Sequence, residues 1–264
     1  MVFDRLLARL VVVANGRWIL KGAIALDFRF GSRTRTTKDI DLGRADDEDA
    51  ATEDFIAAQK ADLDDYFVFF IERTDRLEDL EEAAAVRYHV SCDLAGRRFD
   101  DIVVDVAFGR GEMSGTETLR GPDLLGFAEI EAVEVPAIPL SRHVAEKVHA
   151  YTRAYGPSGR PSSRVKDLVD LALIASEATF DAVDLLRALR TTFATRGVQE
   201  LPRRLPPPPE DWTVPYRKLA GEIGISARLE DGYATAAGML DPLLEDGITT
   251  GTWDREARRW RHEA

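Results

Sequence analysis

The chain has 264 residues, 45% of them hydrophobic, and a formal net charge of −12. Its length suits two modest domains, or one with an extension, with enough apolar residues for a proper core, while the acidic balance speaks against a broadly basic nucleic-acid surface, because neutralising phosphates takes Lys and Arg. The one cysteine, Cys92, excludes an intrachain disulfide and a Cys-rich zinc site and reads as a core or strand residue.

Residues 6–14 form a short apolar run that contains Arg9. It is too short to span a membrane and reads as a packing helix of a cytoplasmic protein. The segment 18–42 carries the chemistry. A Lys21-Gly22 turn leads into a short helix-like run, then a basic loop, then Asp39-Ile40-Asp41-Leu42. In a strand, Asp39 and Asp41 point to one face and Ile40 and Leu42 to the other, into a core. Two neighbouring carboxylates repel each other and are costly to keep ionised without a cation. A hard divalent ion answers that need, and Mg2+ prefers carboxylates together with substrate phosphates. Gly22 permits close backbone approach and the start of the following helix favours an anion. Arg33, Arg35 and Lys38 are placed to neutralise a polyphosphate. Metal-assisted phosphoryl or nucleotidyl transfer is the chemistry this pattern suits. Solvated strand or turn carboxylates are the bland alternative.

Residues 46–61 read as an amphipathic helix with Phe55 and Ile56 on its apolar side, and 66–71 as a strand. Residues 86–94 and 99–108 read as two strands of a hairpin turning at Ala95-Gly96. In the second of these, Ile102, Val104 and Val106 alternate with Val103, Asp105 and Ala107. Asp105 therefore needs a cation, either the metal of the first strand or an arginine in a structural ion pair. Pro136 and Pro139 punctuate the chain, and Ser141 reads as the N-cap of a helix to about Tyr155 with a Val144, Val148, Tyr151, Tyr155 core stripe. Lys147 sits beside that stripe, able to reach into a cleft. After a Gly/Pro/Ser loop at 156–163, a helix opens at Arg164, and Lys166, Asp167 and Asp170 share one side of it. Taken alone, that trio reads as a surface ion pair. Further helices are expected at 184–193, 214–223 and 229–244, with an extended proline connector at 206–209. The first half is thus α/β and the second helical. Basic residues also gather in the second half, at Arg187, Arg190, Arg196, Arg203 and Arg204. They either track the phosphates of a nucleic acid or pair with the many surface acids.

Taken together and in order, these elements resemble the AbiEii/AbiGii-type nucleotidyltransferases, toxins of bacterial toxin–antitoxin and phage-abortive systems within the DNA polymerase β-like superfamily. The resemblance rests on Lys21-Gly22-Ala23-Ile24-Ala25-Leu26, on Arg35-Thr36-Thr37-Lys38-Asp39-Ile40-Asp41-Leu42, and on Val103-Val104-Asp105-Val106 ending at Gly109. It extends to Lys147, to Lys166-Asp167-Leu168-Val169-Asp170, and more weakly to Pro206–Pro209 with Trp212, Tyr216 and Leu219-Ala220. It implies an α+β fold, with a mixed-sheet nucleotidyltransferase domain over residues 1–135 and a helical substrate-binding domain over 136–264. It implies Mg2+ or Mn2+ as cofactor, held by Asp39 and Asp41, with Asp105 completing a two-metal site and helping to deprotonate the attacking hydroxyl. Lys166 joins these three as a catalytic candidate. Lys21, Gly22, Thr37, Lys38, Lys147 and Asp167 are the nucleotide-binding candidates, with Asp167 positioning Lys166 or the base. Where the family carries a small hydroxylated residue after its glycine turn, this chain has Ile24; backbone amides, Ser32 or Thr37 are left to meet the phosphate. The implied partners are a nucleoside triphosphate, a tRNA 3′ end and a cognate antitoxin protein, with no membrane. A small-molecule nucleotidyltransferase and a nucleotide-binding regulator with a degenerate site are the other readings.

Overall fold

Leu6, Leu7 and Leu10 sit on one side of the first helix, α1 (Val2–Val13), and are buried. Arg9, in the middle of this apolar run, is buried as well. Its guanidinium donates to both Asp65 oxygens, at 2.9 and 2.6 Å, and to the Phe67 carbonyl. That pairing explains how a charge survives in a packing helix. The computed structural model describes residues 1–35, 37–76, 85–109, 115–153, 164–197 and 199–261. Thr36, Tyr155, the loop 156–163 and the acidic residues at 77–82 lie outside the described residues.

The chain divides into two compact units, Met1–Gly31 with Thr36–Pro139, and Ser32–Arg35 with Leu140–Ala264. In the first, α1 is followed by β1 (Ile19–Lys21), α2 (Gly22–Phe30), β2 (Asp39–Arg44), α3 (Glu48–Lys60), β3 (Phe67–Arg76), β4 (Ala85–Leu94), β5 (Arg97–Phe108), β6 (Glu117–Arg120) and β7 (Glu134–Ala137). The strands form one sheet in the order β3-β4-β5-β2-β1-β7-β6. β2 runs parallel to β5 and β1 parallel to β7, and the other pairs are antiparallel. The sheet is therefore mixed, with β2 near its centre. β1, β6 and β7 are too short to show alternation, and β7 contains Pro136, whose missing N–H argues against a strand in sequence.

α3 starts with Asp47 accepting from the Ala50 amide. Phe55 faces inward against the rings of Trp18 and Tyr88, with centroids 5.3 and 4.4 Å away. Ile56, expected on the same side, is exposed. Successive helical residues are about 100° apart, so only one of the two can face the sheet. Arg44, at the inner end of β2, is fully buried between Asp46 and Asp54 and lies 4.1 Å from the Trp18 ring centre.

The β4–β5 hairpin turns at Ala95 and Gly96, both with positive φ (50° and 74°), the two-residue turn whose twist matches the strands. Just beyond the turn the ladder shifts. Asp93 faces Arg98, but Cys92 faces Asp100, leaving Phe99 as an unpaired extra residue, a β-bulge. Beyond it, Val90 faces Ile102, Tyr88 faces Val104 and Val86 faces Val106, all buried. Cys92 is a free buried thiol, and desolvation pushes its pKa up to about 12.

The second unit contains α4 (Leu140–Thr152), α5 (Val165–Glu177), α6 (Ala182–Arg196), α7 (Thr213–Ile223), α8 (Leu229–Leu244) and a small hairpin of β8 (Thr252–Asp254) and β9 (Arg259–Arg261). α4 opens at Leu140, so Ser141 lies inside its first turn and is not the expected cap. Pro139 has no N–H to satisfy and a fixed φ near the helical value, so the helix starts directly after it. Val144, Val148 and Tyr151 are buried as expected. α5 is buried from Asp167 to Ala175 and is the central helix of this unit. Tyr151 and Tyr233 donate to the carbonyls of Pro206 and Leu205, at 2.7 and 2.8 Å, and so fasten the start of the proline connector. The terminal hairpin, not foreseen from sequence, inserts Trp253 and Trp260, whose indole N–H groups donate to Ala175 and Met239 carbonyls. Among the described residues no helix is long and apolar enough to cross a membrane.

Candidate active site

β2 presents Asp39 and Asp41 half-buried on one face while Ile40 and Leu42 are buried on the other. In the parallel pairing with β5, Asp41 lies opposite Asp105 and Asp39 opposite Val103. The three carboxylates therefore share one face of two neighbouring strands. On the other side β1 places Lys21 opposite Asp41, and the chain then turns at Gly22 into α2. Gly22 has φ +61°, and a Cβ there would lie 1.7 Å from Asp41 Oδ2. The Asp41 carboxylate thus rests directly over a residue that must be glycine, at a helix N-terminus where negative charge is favoured. Thr37 shapes the entry to β2: its Oγ1 accepts from the Asp39 amide at 3.3 Å. Lys38 is exposed, and its backbone carbonyl accepts from Val103.

Asp105 has a partner that the sequence did not identify. Arg87, opposite it on β4, donates through Nε and Nη2 to the two Asp105 oxygens, both at 2.7 Å. This bidentate pair is half-exposed on the Arg87 side and mostly buried on the Asp105 side. The bond to Asp105 raises the Arg87 pKa, its burial opposes this, and the Asp39 and Asp41 charges add to the rise. Arg87 is therefore within the field of all three carboxylates.

The donor set of Asp39 and Asp41 fits a hard divalent cation: anionic oxygens on one face, with the missing Gly22 side chain leaving room for Asp41. The expected third ligand does not fit as simply, since both Asp105 oxygens accept from Arg87. Among the described residues no three acidic, His or Cys side chains converge closely enough to enclose an ion.

A second charged cluster lies wholly within the helical unit. Lys147 on α4 is 7% exposed and Asp170 on α5 is 1% exposed. Lys147 Nζ donates to Asp170 Oδ2 at 2.6 Å and lies 3.5 Å from Asp167 Oδ1. Arg35 donates to both Asp170 oxygens at 3.2 and 3.3 Å, and Arg164 Nε stands 3.0 Å from Asp167 Oδ2. Arg33 pairs with Glu177. Arg33 and Arg35, expected to be available to a polyphosphate, are thus held by carboxylates of this unit. Asp170 pairs with Lys147 and Arg35 instead of forming a surface pair with Lys166, because Asp170 turns toward α4 and the solvent-exposed Lys166 turns away. Burial alone would lower the Lys147 pKa, but Asp170 and Asp167 outweigh it and hold the ammonium above its usual value.

The expected arginine track is largely occupied by acids. Arg187 pairs with Asp184, Arg190 with Asp246, Arg196 with Glu146 and Arg204 with Glu245. Of the two readings the sequence left open, pairing with surface acids holds for these four.

A mixed sheet whose central strand carries paired carboxylates next to a helix-opening glycine is the architecture of a nucleotidyltransferase. The fold is similar to that of MenT4, a nucleotidyltransferase toxin of Mycobacterium tuberculosis H37Rv, with a TM-score of 0.58 at 18% identity over 93% of this chain and 82% of that one. JHP933 of Helicobacter pylori matches with a TM-score of 0.48 at 15% identity, over 92% of this chain and 89% of that one. The family model for the nucleotidyl transferase AbiEii toxin of type IV toxin–antitoxin systems matches residues 5–262, and the chain belongs to this family. A comparison with curated proteins returned no match.

The geometry at Gly22 gives a direct expectation. Gly22→Ala adds a Cβ on top of Asp41 and forces a left-handed backbone on an L residue, at a cost of about 1–2 kcal/mol for the backbone alone. The variant is expected to melt several degrees lower and to lose transferase activity, because Asp41 must move. A thermal melt and a labelled-nucleotide assay on the same preparation check this; unchanged activity would show that Asp41 need not stay over Gly22.

Proposed function

We propose that this nucleotidyltransferase toxin is a cytoplasmic enzyme that uses Mg2+, or Mn2+ in its place, to transfer nucleotides from a nucleoside triphosphate to the 3′ end of tRNA, and that a cognate antitoxin protein restrains it. The observation that carries the catalytic part is the pair Asp39 and Asp41 on the central strand, with Asp41 over Gly22 at the start of α2. Asp39 and Asp41 hold the divalent ion, which when bound supplies charge neutralisation on the triphosphate. Gly22 and the first amides of α2 receive a phosphate oxygen, and Lys21 adds a cation beside Asp41. Thr37 sets the position of Asp39 through its backbone amide. Lys38 and Lys166, both exposed, are free to meet phosphates from solvent. Lys147 and Asp167 are fixed by burial and by each other, so their role is to hold α4 and α5 together. Asp105 contributes negative charge to the same face, with its oxygens committed to Arg87.

A terminal ribose suits this chemistry because a single-stranded end can be splayed into a site that a duplex cannot enter. The net charge of −12 makes any contact with tRNA local and sensitive to salt. The occupied arginines of the helical unit favour a second reading, a small-molecule acceptor. One comparison separates the two. Purified protein is incubated with Mg2+ and each labelled nucleoside triphosphate, with either intact tRNA or tRNA lacking the free hydroxyls of its last nucleotide. Labelling of the intact tRNA alone is expected. Equal labelling of both, or label only in small molecules, overturns the tRNA-end reading.

A further inference from the structure

Three carboxylates on one face of β2 and β5 carry three negative charges. One cation among them is already built into the chain. Arg87 grips Asp105 through two parallel 2.7 Å hydrogen bonds, the fork geometry that makes arginine a strong partner for a carboxylate. Its guanidinium also feels the charges of Asp39 and Asp41. A guanidinium on Asp105 leaves Asp39 and Asp41, with Lys21 of β1 opposite Asp41, as the carboxylates of this face open to a divalent ion. A second ion on Asp105 would have to share its oxygens with Arg87 and place a double charge close to a fixed positive one.

We propose that Arg87 stands in for a second metal ion: it is a tethered cation that occupies Asp105, so that the Asp39–Asp41 pair binds one divalent ion per chain and Asp105 is not a metal ligand. This rests on the reading of Asp39 and Asp41 as ion ligands. Arg87 acts through Asp105 and the local field, and is therefore a positioning residue. The pair is built in by the β4–β5 register, which puts Arg87 opposite Asp105. Arg87 is also partly open to solvent, so replacing it leaves the core of the sheet untouched.

The test is Mn2+ titration followed by electron paramagnetic resonance, on the whole chain without nucleotide, for the native protein and for Arg87→Gln, Arg87→Lys, Asp105→Asn and Asp41→Asn. The native protein is expected to take up about one tightly held ion. Arg87→Gln frees Asp105 and is expected to take up a second, while Arg87→Lys keeps the tethered charge and stays at one. Asp105→Asn is expected to change the Mn2+ affinity less than about threefold, whereas loss of a true ligand or its support costs about 10–100-fold. Two tight ions in the native protein, no gain in Arg87→Gln, or a loss of 10-fold or more in Asp105→Asn overturns the proposal while leaving Asp39 and Asp41 as ligands, provided Asp41→Asn abolishes binding. If the native protein binds no ion tightly, or Asp41→Asn binds as well as the native protein, the reading of the Asp pair itself fails. Thermal melts in EDTA confirm that each variant is folded.

Discussion

Asp41→Asn is expected to lower nucleotide transfer at least about 100-fold while leaving the protein folded. The substitution keeps the shape of the side chain over Gly22 and removes one of two neighbouring carboxylates. Stabilising transition-state charge through a bound ion is worth several kcal/mol, and each factor of ten in rate is about 1.4 kcal/mol. Folding works in the opposite direction. Asp39, Asp41 and Asp105 share one face, and removing one of three like charges relieves repulsion. Lys21 and the start of α2 favour the Asp41 charge and oppose this relief, so the melting temperature measured without metal is expected to change little. Transfer of labelled nucleotide at more than a tenth of the native rate, with Mg2+ present, would remove Asp41 from the ion site.

Lys147→Ala is expected to have the largest effect on stability, a loss of about 3–5 kcal/mol. The substitution strands Asp170, which is 1% exposed, with only the longer contacts from Arg35 at 3.2 and 3.3 Å, and leaves a hole between α4 and α5. Urea unfolding measures it; a change below about 1 kcal/mol would mean that the pair behaves like an exposed one. The same cluster sets a pH dependence. The Lys147 pKa is raised in the folded chain, so its contribution is fully present below the unfolded lysine value of about 10.4 and is lost as the pH climbs through the raised folded value. From neutral pH to pH 9 the native protein and Lys147→Ala should therefore differ by a constant amount, and the gap should narrow only in strong alkali.

The strands and helices that position the site were legible where a single periodicity governs them. The alternation of Asp39, Ile40, Asp41 and Leu42 announces a strand with one charged and one buried face, and β2 has both. α5 to α8 carry helical periodicity and the structure has each of them. Short elements escaped for a physical reason. The three residues of β8 and of β9 cannot show a period, and what holds them is the burial of Trp253 and Trp260, a tertiary effect. Ile56 shows the limit of reading apolar neighbours as one face.

Arg87 was missed although a signal for it exists. The buried hydrophobic residues from Val86 to Cys92 in β4 are Val86, Tyr88, Val90 and Cys92, and those of β5 are Ile102, Val104 and Val106, all even numbers. Opposed residues in an antiparallel pair share a face, so their numbers must add to an even total. A two-residue turn at Ala95 and Gly96 forces an odd one. The conflict can be resolved only by an unpaired residue in one strand, and resolving it with one in β5 puts Arg87 opposite Asp105. What sequence could not supply is the ion pairing inside the helical unit. Arg35 belongs there with Asp170 although it precedes β2 in the chain, and no local pattern links residues 135 positions apart.

The unpaired Phe99 gives the hairpin one place where its length is not fixed. Taking that residue out closes the ladder from Asp93–Arg98 straight to Cys92–Asp100, and every pair beyond, Arg87 with Asp105 included, stays as it is. Taking out Val103 instead cannot be absorbed in this way, because closing the ladder then turns Ile102 from the buried face to the exposed one. Among relatives that share this hairpin, single-residue gaps should therefore gather between the turn and Asp101 and be absent from 102 to 108, whatever side chain stands at the gap.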